Sequence, residues 1–229
     1  MLLLVSFAGN TKPDKKIAIG LVIFPPLVLQ QSFDGACSGP AVDISKAIFT
    51  EYGYAVETYC APAARLYTLI QEGKVDVTIN VNSTSAIKDH VDFHDIPFAR
   101  LRVALLTNKE LESDKTVAAI RGFDYHGVRD KLIADDMIFV DLPNGNDAVN
   151  VFLRKRTSAL LTYMRPYRYL IAKSSFAIPE NIHLEEMLEL ETYYGVSKVS
   201  PWHDDIFKVL DSYTEENDVM RFSGVETLP

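Results

Sequence analysis

The chain is short of cysteine, of positive charge and of long apolar runs, and each shortage removes a class of function. Two cysteines, Cys37 and Cys60, in 229 residues make a poor zinc site without clustered histidines, while their even count in an exported chain allows one disulfide. The five histidines, His90, His94, His126, His183 and His203, are scattered, with no metal-ligand spacing and a third ligand nearby, so neither metal nor metal chemistry is expected. Lysine and arginine number 23 against 31 acidic residues, a formal net charge of -8, which removes nucleic acid as a partner because phosphate binding needs a basic face. No apolar run approaches the about 20 residues that span a bilayer. There is no Gly-x-Ser-x-Gly elbow, phosphate loop or dinucleotide fingerprint, so no cofactor is expected.

What is present is an ordinary globular composition, 48% hydrophobic and 24% charged, in a chain long enough for one large or two small domains. The first residues, "MLLLVSFAGN" before "TKPDKK", resemble the later part of a secretory signal, with small residues near Ala8 or Gly9 and no basic segment ahead of the apolar run. The alternative is a plain tail. Residues 1–14 are therefore read as a signal remnant or tail, and the location as periplasmic.

Short β-rich runs alternate with amphipathic helices, the pattern of an α/β fold with mostly parallel strands. "KIAIGLVIF" reads as a strand stopped by Pro25 and Pro26, "VDISKAIFTEYG" as a helix opened by Pro40 and Asp43, and "AVETYC" as a strand. In "PAARLYTLIQEG" Pro62 suits a first helical turn, Leu66, Leu69 and Ile70 form an apolar stripe, and Gly73 suits the end. "KVDVTIN" alternates like a strand and ends at Asn80. "LRVALLTN" then leads to a second cycle: "TVAAIRG" as a strand, "DYHGVRDKLIADD" as a helix, "MIFVDL" as a strand, "NGNDAVNVFLRKR" as a helix capped by Asn146 or Asp147, and "TSALLTY" as a strand. "ETYYGVSKV" reads as a return strand, and a final helix opens at Pro201. The acidic runs "HVDFHD" and "HLEEMLELE" read as solvated faces.

The phrases "SGPAVDISKAIFTEYGYAVE", "PAARLYTLIQEGKVDVTIN", "VDFHDIPF" and "RGFDYHG", in this order, resemble the periplasmic solute-binding proteins of the polar amino-acid receptor family, over roughly residues 15–222. The resemblance implies the type II periplasmic-binding-protein fold: two α/β lobes, each a mostly parallel sheet flanked by helices, joined by two hinge strands around a solute cleft. It places one lobe at 15–105 plus 195–229, the other at 106–194, and the hinges in "VALLTN" and "TYYGVS". It implies a monomer that hands its solute to ABC-transporter membrane subunits or signals to a membrane sensor. The amino-acid receptors carry an arginine for the solute carboxylate at the slot occupied here by Ile87 or Lys88, and an aspartate for the ammonium where this chain has Tyr163. Both halves of that clamp are missing, so the chain is a divergent branch and an ordinary α-amino acid is not the first choice of solute.

The expected binding residues are Arg65, in the first turn of its helix, for an anionic group; Asn80, Asn82 and Ser83 at a strand exit for polar contacts; Phe24 as an aromatic wall; Arg121, Phe123 and Tyr125 around Gly122 for close backbone approach; and Tyr163 from the second lobe. The expected solute is small and polar or anionic. A competing reading is an enzyme resembling the dehydratases of cyclic acids built on this fold, although acids such as Asp124 or Asp147 have no context that singles them out. A third is a degenerate sensor or scaffold, which a cleft lined with bulky apolar side chains would favour.

Overall fold

The computed structural model describes residues 15–30, 37–111, 113–173 and 181–224; the expected signal remnant lies outside them. The first cycle comprises β1 (Lys15–Val22), β2 (Leu29–Gln30), β3 (Cys37–Ser38), α1 (Pro40–Glu51), β4 (Tyr54–Ala61), α2 (Ala63–Gln71) and β5 (Val77–Asn80). The long β6 (Val91–Asn108) leads to a second cycle of β7 (Thr116–Ile120), α3 (Val128–Ala134), β8 (Ile138–Leu142), α4 (Gly145–Leu153), β9 (Ala159–Tyr163) and α5 (Met164–Lys173). The chain returns through β10 (Ile182–Ser197) and ends its regular structure in α6 (His203–Glu216).

Eight strands share one curled sheet in the order β4-β1-β5-β10-β6-β9-β7-β8. Within the first lobe β1 runs parallel to both β4 and β5, and within the second β7 runs parallel to both β8 and β9. Such parallel units need helices over their faces, and the apolar stripes supply them. Helix α1 begins with Pro40 in its first turn and buries Ala41, Val42, Ile48 and Phe49; α2 buries Ala63, Leu66, Tyr67 and Ile70. Gly20 in β1 is the point of closest approach: a Cβ there would lie 2.7 Å from Leu66 Cδ1 and 2.8 Å from Val75 Cγ2, so any side chain would push α2 off the sheet.

Two strands tie the lobes together. β6 and β10 are 18 and 16 residues long, against about 5–6 for an ordinary strand, and pair antiparallel from Asn108 with Ile182 to Val91 with Ser197. Tyr193–Val196 of β10 join β5 in the first lobe, whereas Val103–Thr107 of β6 join β9 in the second. The passage between lobes is thus the stretch from Ala99 to Arg102 against Glu189 to Thr192, which pair only with each other. Of the expected hinges, "TYYGVS" begins in this passage at Thr192 and then pairs with β5, and "VALLTN" follows it and pairs with β9.

Other elements also differ from the sequence reading. "VDFHDIPFAR" and "HLEEMLELE" belong to these long strands; half-exposed antiparallel ribbons need no continuous apolar pattern. Helix α3 is shorter than expected because Tyr125, His126 and Gly127 take positive φ values of 51°, 55° and 82°, which no helix accommodates. Helix α4 is capped by Asn144, whose side chain accepts from Asp147 N at 3.0 Å, rather than by Asn146 or Asp147. Helix α5 was not anticipated: it follows β9 without a loop, with Pro166 in its first turn.

Candidate functional site

The site is built where the first lobe's strand ends meet the loop after β7. β5 ends at Asn80, 7% exposed, whose Oδ1 accepts from Val81 N at 2.9 Å and from Thr84 Oγ1 at 3.0 Å. Both acceptor positions of that oxygen are thereby held by its own turn, and the buried Nδ2 group, beside the Tyr67 hydroxyl, makes no hydrogen bond of full geometry. Tyr67, on the inward stripe of α2 and 3% exposed, likewise has a buried hydroxyl with no partner. Burial pushes the Tyr67 hydroxyl up to about 12, and the neighbouring Asn80 amide opposes this, so it stays protonated and able to donate at neutral pH. Buried polar atoms in a native protein are nearly always paired, and these two exceptions lie side by side at one cavity.

The opposing wall is the β7–α3 loop, and Arg129 of α3 holds it. Its Nε donates to Phe123 O at 3.0 Å, and its Nη2 donates to Ile120 O at 3.3 Å and to Asp141 Oδ1 at 2.6 Å. Within the loop Asp124 Oδ1 accepts from His126 N at 3.0 Å. Gly122, at φ 81°, abuts Ala64 in the first turn of α2, with a Cβ position 3.8 Å from the Ala64 Cβ; a larger residue in that left-handed conformation would be strained.

Contacts join the two walls. Phe24, at the tight turn where its N–H donates to Val28 O, meets Tyr163 of β9 edge to face with ring centroids 5.2 Å apart. Ser83 Oγ lies 2.7 Å from His126 Nδ1 across the gap, while Phe123 meets Tyr163 at 5.8 Å within the second lobe. The hinge strands floor the site with Leu101, Leu190 and Thr192, whose hydroxyl donates to Ala99 O at 3.1 Å. The cavity, open to solvent on one side, measures about 70 Å³. Among the described residues no group of three or more His, Cys, Asp and Glu side chains is arranged to hold a metal ion.

The sequence of residues 17–217 matches the model of the bacterial extracellular solute-binding proteins, family 3. The chain belongs to this family. Its solved structural neighbours share the two-lobed fold at low identity. A substrate-binding protein of an ABC uptake transporter from Streptococcus pneumoniae with bound histidine matches at TM-score 0.70 and 17% identity, over 93% of this chain and 92% of that one. An ancestral arginine-binding protein bound to glutamine matches at 0.69 and 20%, over 88% and 93%. A histidine kinase sensor domain with similarity to periplasmic binding proteins matches at 0.71 and 17%, over 90% and 93%. No curated protein matches the chain.

Set in this solute-binding family, the expected site residues separate into two groups. Phe24, Asn80, Phe123 and Tyr163 line the cavity. Burial drives the Tyr163 hydroxyl well above its ordinary pKa. Ser83 reaches His126 across the gap without lining the cavity, and Asn82 is exposed. Arg65 is exposed and outside the lining: at about 100° per residue, a position two before Tyr67 falls on the opposite side of α2. Arg121 is exposed, donating from Nη2 to Asp141 O at 3.4 Å. Tyr125 is core, 1% exposed, its hydroxyl accepting from Ile120 N at 2.9 Å. At the slot where the resemblance puts a carboxylate-binding arginine, Ile87 is wholly buried among apolar neighbours and Lys88 is exposed. Among the described residues no arginine or lysine lines the cavity.

The residues not anticipated are Tyr67, Thr84, Asp124, His126 and Thr192. Tyr67 was legible, since Ala63, Leu66, Tyr67 and Ile70 repeat at helical spacing. The others sit in loops or on a hinge strand, where no period marks the inward face. Cys37 and Cys60 form a disulfide with Cα atoms 5.7 Å apart, joining β3 to β4 beside the first lobe's core.

Proposed function

We propose that this protein is an extracytoplasmic receptor that captures a small polar solute between its lobes and presents the closed form to ABC-transporter membrane subunits or to a membrane sensor, acting as a monomer. The observation that carries this reading is a cavity lined from both lobes, with the Asn80 amide and the Tyr67 hydroxyl buried beside it and unpartnered. A solute that touches both walls stabilises their approach, which is how ligand binding becomes hinge closure. Membership of an extracellular solute-binding family and the Cys37–Cys60 bridge support an oxidising compartment. No helix among the described residues is long and apolar enough to cross a membrane. A binding protein must release what it holds unchanged, so no reaction is assigned.

The test is a thermal-shift screen against amino acids, amines, organic acids and sugars, followed by small-angle scattering of any hit. A true solute at 100 times its Kd stabilises by about 2.7 kcal/mol and leaves the molecule no less compact. One observation favours a second reading, a sensor whose cleft is filled by its own aromatic side chains: Phe24 packs on Tyr163 across the gap, and Phe123 packs on Tyr163 from the same lobe. A screen in which no solute shifts the unfolding midpoint would favour it.

A further inference from the structure

The charge balance of the cavity names a solute class, an inference that deepens the receptor reading and rests on it. Among the described residues that line the cavity, Asp124, which is exposed at its mouth, carries the one carboxylate, and no lysine or arginine accompanies it; Asp124 forms no ion pair among the described residues. Five aromatic side chains, Phe24, Tyr67, Phe98, Phe123 and Tyr163, contribute to the same lining. The negative face of an aromatic ring attracts a cation. Against these stand two buried hydrogen-bonding groups, the donor-only Asn80 Nδ2 and the protonated Tyr67 hydroxyl, which call for an acceptor on the solute.

We propose that the cavity takes a small organic amine, its ammonium set toward Asp124 and the surrounding rings, its apolar body among the side chains at the lobe junction, and a neutral oxygen acceptor on Asn80 and Tyr67. A carboxylate beside Asn80 and Tyr67 would lose hydration with no lysine or arginine among the described lining residues to replace it. That disfavours both an organic anion and a zwitterionic α-amino acid. The carboxylate needed to offset the ammonium lies on the second lobe and the amide donor on the first, so the two ends of one molecule draw the lobes together.

The experiment compares isobutylamine, benzylamine and tyramine with the alcohol and the carboxylate of each carbon skeleton, and with L-amino acids, by calorimetry on the wild-type protein and on Asp124→Asn. That variant keeps the oxygen that accepts from His126 N, and its unliganded melting curve shows whether it folds as the wild type does. The expected result is binding of at least one amine in preference to its carboxylate, weakened about ten-fold or more by Asp124→Asn, as for a lost charge-assisted bond, with any alcohol binding unchanged. Preference for carboxylates or L-amino acids, or amine affinity indifferent to Asp124→Asn, would overturn the amine assignment while leaving the receptor reading intact. Absence of binding by every probe, together with a silent solute screen, would remove both.

Discussion

Tyr67 and Asn80 each carry a buried polar atom that the fold leaves without a partner. An unpartnered hydroxyl buried at 3% exposure costs the unliganded protein about 1 to 3 kcal/mol, and that cost persists only where something else is served. Tyr67→Phe is therefore expected to leave unfolding stability unchanged or raise it by up to about 1 kcal/mol, measured by denaturant titration, while weakening solute binding several-fold. A clear loss of stability would mean that the hydroxyl is already bonded within the protein. Arg129 makes the complementary case. It does not line the cavity, yet its bonds to Ile120 O, Phe123 O and Asp141 position the loop that does.

At the scale of elements, the first lobe depends on a small covalent tie. The bridge between Cys37 and Cys60 links residues 23 apart in sequence, and closing a loop of that size stabilises by about 3 kcal/mol in the chain-entropy account. The paired substitution Cys37→Ser and Cys60→Ser should lower the melting temperature by about 10 °C, and reductant should do the same to the wild type. An unchanged midpoint would mean that the β3–β4 region unfolds apart from the main transition. Helices α1 and α2 were legible because their buried faces repeat at helical spacing. Helix α5 was not, since "MRPYRYLIAK" mixes three charged positions, Arg165, Arg168 and Lys173, into its turns and buries chiefly Met164, Pro166 and Tyr167.

For the molecule as a whole, the two long strands decide what the lobes can do. Between Ala99–Arg102 and Glu189–Thr192 the lobes are joined by two paired strands with a register shift at Thr192/Tyr193, a place where a sheet bends readily. Closure across this passage is carried by aromatic contact, above all Phe24 on Tyr163 at 5.2 Å. Such pairs contribute about 0.5 to 1.5 kcal/mol beyond their buried area. Phe24→Ala should therefore weaken solute affinity about ten-fold and increase the radius of gyration of the unliganded protein in small-angle scattering. An unaltered radius together with unaltered affinity would show that the contact does not govern the lobes' approach.

The sequence by itself determined the class of the molecule. Alternating strand and helix periods, with Pro40 opening α1 and Asn80 ending β5, follow from local backbone preference and one-sided burial, and these are properties of short stretches. The missing zwitterion clamp was also legible, at Ile87, Lys88 and Tyr163. Only the tertiary structure decided the site. Arg65 and Tyr67 are two residues apart, and which of them meets the cavity depends on the face of α2 that packs against the sheet. Asp124 enters the lining because Arg129, on a different element, fixes its loop. The hinge lies where neighbouring strands stop pairing, a relation among β5, β6, β9 and β10 that no single stretch contains. Contacts between segments far apart in the chain set these positions, and periodicity carries no information about them.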